Sequence, residues 1–290
     1  MRTYHQQSRR RHSAVAAGGL LLAATAAATS VATAAPGSSA PLPARANMYA
    51  DMHVGVAGSE VLDAASGSTA VVPLKDAKLN IEHNATDEDT GFQGFIDSEG
   101  WRKLDVRGPG GRVLTLQPRG TFAELGLTEL FFESVEPANA DVPIDEMLAN
   151  LPEGDYTIAG PGQENGQSTG RTAGTAWLTH DIPAGPTLVA PAEGASVPLN
   201  GVVARWKPVS TTITGKPVKI IAYQLIIEKD VDPNPHMIGK FGLSMYLRPS
   251  ITKMAVPNGF LESGTPYKWE VLAIERSGNQ TLSSGAFHTQ

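Results

Sequence analysis

The sequence predicts a mainly β protein of two successive sandwich-like domains, the first carrying one short helix. Three observations carry this expectation. Apolar and polar residues alternate over many short runs, the pattern of half-buried strands. Turns drawn from 30 glycines and 21 prolines separate those runs. The chain has no cysteine, so each domain must be held by its own core or by a bound metal, and roughly 100 to 130 residues is enough chain for such a core. Thiolate zinc sites, cysteine nucleophiles and thiol redox chemistry are thereby excluded.

Residues 1–35 read as a cleaved secretory signal. Arg2, Arg9, Arg10 and Arg11 form a basic start, Ala14 to Ala28 an apolar run, and Ala32-Thr33-Ala34 an A-x-A cleavage site. The apolar run falls short of the roughly 20 strongly apolar residues of a membrane span, so no span is expected in the mature chain. Ser8-Arg9-Arg10-Arg11 resembles a twin-arginine signal without its usual continuation, which leaves both that route and the general secretory route open. Residues 36–68 follow as a linker and weakly patterned segment, Pro-, Ser-, Gly- and Ala-rich at its start.

The expected first domain spans 69–183. Asp76 to Glu82 alternates as a strand, Gly94 to Asp97 continues the pattern, and Arg102 to Val106 turns through Gly108-Pro109-Gly110-Gly111 into Val113 to Leu116 as a hairpin. Leu127 to Ser134 reads as a strand buried on both sides, with Leu130 and Phe132 opposite Phe131. Pro143 to Leu151 is the helix, with Pro early, acidic residues in the first turn and Ile144, Met147, Leu148 and Leu151 on one face. Asp155 to Ile158 and Ala173 to Thr179 are strands, joined by a Gly- and Ser-rich loop over 160–174, and Pro183 to Pro186 closes the domain.

Charge divides unevenly between the halves. Asn47 to Asp181 holds 8 Lys/Arg against 22 Asp/Glu, a net of −14, whereas Pro186 to the end holds 10 against 7, a net of +3. An acidic first half argues against nucleic acid as a partner. It suits solubility, cation binding, or attraction to a basic surface, the second domain included.

The expected second domain spans 184–290. Val189 to Gly194 is a proline-bearing first strand, Val202 to Trp206 a second with a core tryptophan, and Tyr223 to Glu228 a third with Tyr223, Leu225 and Ile227 on one face. Leu261-Glu262-Ser263-Gly264-Thr265-Pro266-Tyr267 sets a leucine six residues before a tyrosine. Trp269, Val271 and Ala273 continue that strand, Glu275 to Asn279 is a loop, and Gly285 to Thr289 is the last strand. These residues resemble a fibronectin type III domain over about 105 of the 290 residues. The resemblance implies an immunoglobulin-like sandwich in which the Tyr267 hydroxyl bonds to upstream backbone. The family carries adhesion, spacing and binding roles alike, so the fold leaves function open. Two departures stand out: Asp230 to Lys240 is long, and the loop at Gly278 lacks Arg-Gly-Asp, so an integrin-binding role is not implied.

The mature chain also resembles a group of bacterial exported proteins. Its Asn84-Ala85-Thr86-Asp87-Glu88-Asp89-Thr90-Gly91-Phe92-Gln93 segment, its Leu127 to Ser134 segment and its fibronectin-like end occur there in the same order. That resemblance implies the architecture and no activity.

Five constellations bear on chemistry. Asp87, Asp89 and Asn84 concentrate oxygen ligands around Gly91 and are the candidate Ca²⁺ ligands, with Ca²⁺ the one candidate cofactor; a solvated acidic turn capped by Asp87 is the competing reading. Glu129 and Glu133, with Asp97 and Glu99, invite a two-carboxylate glycosidase, but along a strand Glu129 and Glu133 stand roughly 13 Å apart. Gly166-Gln167-Ser168-Thr169-Gly170 matches a hydrolase nucleophile motif in a polar segment with no helix after it. His83 and His180 lack metal-ligand spacing and read as surface or strand-end residues. Trp101, Trp177, Trp269 and Tyr246 are candidates for a sugar-stacking face, against the commoner role of core packing.

These readings converge on a secreted, non-enzymatic binding or structural protein, with no catalytic residues and an extracellular protein or glycan as partner. Two alternatives stay open, a carbohydrate-binding accessory module and a secreted hydrolase. An exposed aromatic pair on one sheet face favours the first, and carboxylates converging in a pocket favour the second.

Overall fold

A computed structural model describes residues 71–290 apart from Asn165 and Ile238. The expected leader over 1–35 and the expected linker over 36–68 lie outside the described residues. Among the described residues no helix is long and apolar enough to cross a membrane.

The first half contains β1 (Val71–Pro73), β2 (Asp76–Asn84), β3 (Asp89–Trp101), β4 (Leu104–Gly108), β5 (Gly111–Leu116), α1 (Thr121–Leu125), β6 (Leu127–Glu133), α2 (Ile144–Leu148), β7 (Gly154–Glu164) and β8 (Gln167–Leu178). The long strand β3 holds this half together. It pairs with β2 over Asp89 to Asp97 and with β6 over Gln93 to Asp97, then shifts register and meets β7 at Trp101. That bend lets one strand serve two faces of a curled sheet. Gly100 sits at the bend, where a Cβ would lie 2.0 Å from the Gln163 carbonyl, so only glycine fits. The core inside the curl is built on Ile81, Ile96, Trp101, Leu104, Tyr156, Ile158 and Leu178.

The helix is shorter than the sequence pattern, five residues capped by Pro143, and it lays Met147 and the half-buried Ile144 and Leu148 on that core. On β6 the expected burial of both faces fails. Leu130 and Phe132 reach the core, while Phe131 is half-buried outside it, because among the described residues β6 pairs with β3 alone. The segment 160–174 is not a loop. It forms most of a long hairpin in which β7 and β8 pair from Gly154↔Leu178 to Glu164↔Gln167. Its glycines mark close approach of neighbours: a Cβ on Gly160 would lie 1.8 Å from the Lys103 carbonyl, and one on Gly162 would lie 2.4 Å from Thr169 Oγ1.

The second half contains β9 (Leu188–Ala190), β10 (Ala195–Val197), β11 (Val203–Trp206), β12 (Ile220–Lys229), β13 (Gly242–Leu247), β14 (Lys253–Ala255), β15 (Pro266–Glu275) and β16 (Gln280–Thr289). A three-stranded sheet β14-β11-β9 packs against β13-β12-β15-β16. Between them lie Trp206, Tyr223, Leu225, Ile227, Tyr267, Trp269, Val271 and Phe287, with Trp206 edge-on to Tyr223 at 5.6 Å. The Glu262 N–H donates to the Tyr267 hydroxyl at 2.9 Å, and Leu261 is buried beside it. Two sheets in this order closed by a tyrosine corner make the fibronectin type III sandwich that the sequence resembles.

The two halves are not separate sheets. β16 pairs in parallel with β2 over Gln280↔Glu82, Thr281↔His83 and Asn84↔Leu282, which joins them into one sheet ordered β1-β8-β7-β3-β2-β16-β15-β12-β13.

Candidate functional site

The seam between β2 and β16 gathers a dense group of the buried polar side chains among the described residues, Glu82, His83, Asn279 and Thr281 included. Its anchor is Asn279, which is fully buried at the end of the β15–β16 turn. Asn279 Oδ1 accepts from the Ile81 N–H at 2.9 Å, and its Nδ2 donates to the Thr179 carbonyl at 2.8 Å. The side-chain amide thus imitates one more backbone residue and extends the ladder beyond Gln280. Gly278 makes the turn that aims it, with φ of +101°.

Further bonds continue along the seam. The Thr281 hydroxyl donates to the Pro183 carbonyl at 2.6 Å, the Ala85 N–H to the Leu282 carbonyl at 2.9 Å, and the Ser284 N–H to Thr86 Oγ1 at 2.9 Å. At Gly185 a Cβ would lie 2.5 Å from that of Ala85, so the connecting segment needs glycine there.

Beside this ladder stand three carboxylates. Glu82, Glu133 and Glu136 each bring an oxygen within 4.8 Å of the others. Glu82 faces the seam, where Gln280 Nε2 donates to it; Gln280 also donates to Gln93 Oε1 at 3.1 Å, and Gln93 donates to Glu133 at 2.8 Å. Burial raises the Glu82 pKa to about 8, helped by Glu136 and Glu133 and opposed by the Gln280 bond. Burial and then Glu133 and Asp89 raise that of Glu136 to about 7. Such a group can share protons at neutral pH, and its oxygen donors also suit a divalent cation.

The expected Ca²⁺ turn lies at one end of the same seam. Asn84 Oδ1 accepts from the N–H groups of Thr86 and Asp87 at 3.0 and 3.1 Å, and Asn84 Nδ2 donates to Asp87 Oδ2 at 2.9 Å. Asn84 rather than Asp87 is therefore the cap, and it spends both ends of its amide on the turn. Asp89 points elsewhere. One of its oxygens is buried without a partner, and burial and then Asp87 raise its pKa, with Lys268 opposing. Burial lowers the Lys268 pKa, but Glu270 at 2.8 Å and then Asp87 hold it above the ordinary value. The acidic turn thus faces a lysine of the second sandwich.

Other sequence candidates fall apart in space. Glu133 joins Glu82, whereas Glu129 is exposed opposite Asp97, and Glu99 pairs with Lys75 at 3.1 Å. Gly166 to Gly170 runs from the hairpin tip into β8, with no helix following, so Ser168 lacks the setting of a nucleophile elbow. His83 is buried rather than at the surface. Its Nδ1 lies 3.0 Å from Thr90 Oγ1, and burial lowers its pKa. His180 Nε2 lies 2.8 Å from the Leu151 carbonyl. Trp101 and Trp269 are core residues, while Trp177 on β8 and Tyr246 on β13 are exposed on strands at different ends of the sheet. Sequence reasoning missed Glu136, Asn279 and Gln280. A buried-seam asparagine looks like any turn residue, and Glu136 lies in an unpatterned stretch after β6.

Comparison with known proteins adds little to this geometry. No family model matches the chain. No curated protein matches it either, so the resemblance to bacterial exported proteins gains no support there. Among solved structures, the chain is similar to a two fibronectin type III domain segment of chicken tenascin, at 12% identity over 73% of this chain and 97% of that one, with a TM-score of 0.26. It is also similar to the FN1–FN3 domains of chicken CNTN1, at 11% identity over 75% of this chain and 65% of that one, with a TM-score of 0.27. The strand order and the tyrosine corner carry the fold assignment by themselves.

Proposed function

We propose that this is an exported, non-enzymatic binding or structural protein whose two sandwiches act as one rigid body. The supporting observation is the seam, in which the turn before β16 is buried against the first sandwich through Asn279 and the ladder continues across. A stiff two-sandwich unit holds surfaces on both halves at a fixed spacing, as a structural or binding role requires. The leader pattern supports export.

A second reading, a carbohydrate-binding accessory module, draws on one sheet face. On β8 the alternation exposes Arg171, Thr175 and Trp177 along a single row, and a cleft opens beside Arg171.

One experiment addresses both readings. The mature protein, beginning after the Ala32-Thr33-Ala34 site, is incubated with a panel of soluble polysaccharides while retention and release of reducing ends are followed. The expected result is no release of reducing ends, with or without retention. Release of reducing ends would move the protein to the secreted hydrolases.

A further inference from the structure

We propose that the cleft over β4, β7 and β8 binds an anionic polysaccharide. This deepens the carbohydrate-binding reading and rests on it. The cleft has a volume of about 550 Å³ and is lined by Asp105, Arg107, Thr157, Ser168 and Arg171 over a floor of small residues that includes Gly160 and Gly170. The floor is low because the outward positions of β7 between Asp105 and Arg171 are the small Ala159 and Pro161, cross-strand from Ala173 and Arg171.

Its charge runs against its surroundings. Between Asn47 and Asp181, where acidic residues outnumber basic ones 22 to 8, four of the eight cations gather here: Lys103, Arg107, Arg112 and Arg171. A single carboxylate, Asp105, lines the cleft, and it is shared among its neighbours. It accepts from Thr115 Oγ1 at 2.7 Å and lies 3.4 Å from Lys103, 3.5 Å from Arg112 and 4.0 Å from Arg107. One carboxylate against three cations leaves Arg107 only loosely engaged. Among the described residues Arg171 has no ion-pair partner, and its side chain is exposed at the rim.

Two exposed guanidiniums across an open, hydroxyl-bearing cleft present bidentate donors for carboxylate, sulfate or phosphate groups. Thr157 and Ser168 add partners for sugar hydroxyls. Further along the same outward row of β8, roughly 20 Å from Arg171, stands Trp177, with the Arg276 guanidinium over its ring at 5.4 Å. The row therefore offers an extended chain a second cation and an aromatic edge beyond the cleft. Asp155, the cross-strand partner of Trp177, is the one acidic neighbour the ladder places at that far end. An extended polymer fits this row better than a compact ligand does.

The test is affinity electrophoresis of the mature protein against polygalacturonate, dextran sulfate, neutral dextran and poly-L-glutamate. Retention by polygalacturonate or dextran sulfate is expected, weakening as salt rises. Which of the two retains the protein more strongly decides between carboxylate and sulfate recognition. Arg107→Gln and Arg171→Gln should each weaken retention by about tenfold or more, at unchanged melting temperature, since each removes a charge-assisted contact from an exposed position. Lys78→Gln, on β2 away from the cleft, should leave retention unchanged. Retention by poly-L-glutamate equal to that by the saccharides would overturn the assignment in favour of an acidic peptide. Retention insensitive to both arginine variants, or by neutral dextran alone, would overturn the inference while leaving a carbohydrate-binding reading. Retention by none of the saccharides would remove both.

Discussion

Replacing Asn279 by alanine tests how much the seam contributes to the fold. The substitution removes an acceptor for the Ile81 N–H and a donor to the Thr179 carbonyl, at a position with no solvent exposure. Each abandoned backbone group costs about 1 to 3 kcal/mol when buried without a partner, so the loss of both comes to about 2 to 6 kcal/mol. Against a total stability of about 5 to 15 kcal/mol this is a large fraction. At about 2 to 4 °C per kcal/mol for a chain of this size, it corresponds to a melting temperature lower by roughly 4 to 24 °C. Equilibrium urea unfolding followed by tryptophan fluorescence gives the free energy directly. Trp206 and Trp269 report on the second core and Trp101 on the first, so partial uncoupling of the halves appears as a broadened or split transition. Asn279→Asp is the companion variant, because it keeps the acceptor for Ile81 and loses the donor. It should fall at least as far, having placed a charge in a buried site. A loss below about 1 kcal/mol for Asn279→Ala, with an unchanged single transition, would refute the reasoning that the amide stands in for a backbone residue.

Further predictions concern the groups around the seam. Glu82 has an ordinary value of 4.5 and a folded value of about 8, so between these the folded state holds a proton that the unfolded chain has released. Its contribution is fully present below the lower value and is lost as pH rises through the upper one. Stability measured from pH 5 to 8.5 should therefore decline, and Glu82→Gln, which keeps an acceptor for Gln280, should flatten the decline; an unaltered slope contradicts the assignment. Thermal unfolding in EDTA and in millimolar Ca²⁺ separates the readings of the acidic turn, since saturation at 100 times the dissociation constant adds about 2.7 kcal/mol. The self-capped geometry of Asn84 and Asp87 predicts no shift. A rise abolished by Asp87→Ala and Asp89→Ala would establish the metal at the turn, and a rise abolished only by Glu82→Gln would assign it to the carboxylate group. Tyr267→Phe keeps the stack on Phe287 at 5.4 Å and loses the bond from Glu262, so it should cost about 1 kcal/mol in urea unfolding.

Much of the second sandwich was legible in the sequence because its signals are local. Period-two alternation placed Tyr223, Leu225 and Ile227 in the core, and the Leu261 to Tyr267 spacing announced the corner. The first sandwich was read through β2, the β4–β5 hairpin and α2. It failed at 160–174, where glycine usually signals a loop and here signals packing against Lys103 and Thr169. The parallel pairing of β2 with β16 joins residues 198 apart in sequence and leaves no local trace. The candidate site suffered in the same way. Asn84, Asp87 and Asp89 were visible as a dense acidic run, whereas Glu82, Glu133 and Glu136 meet only because β2, β3 and the segment after β6 converge.

On the proposed reading, the two sandwiches form one body through the ladder that β2 and β16 share. Amide hydrogen exchange of the protein, read over residues 80–86 and 279–285, measures that coupling. Protection there should match that of the β12–β15 pairing inside the second sandwich, with the long segment 231–237 exchanging orders of magnitude faster. Exchange at the seam as fast as at 231–237 would mean that the ladder opens freely, and the rigid two-sandwich account would be wrong.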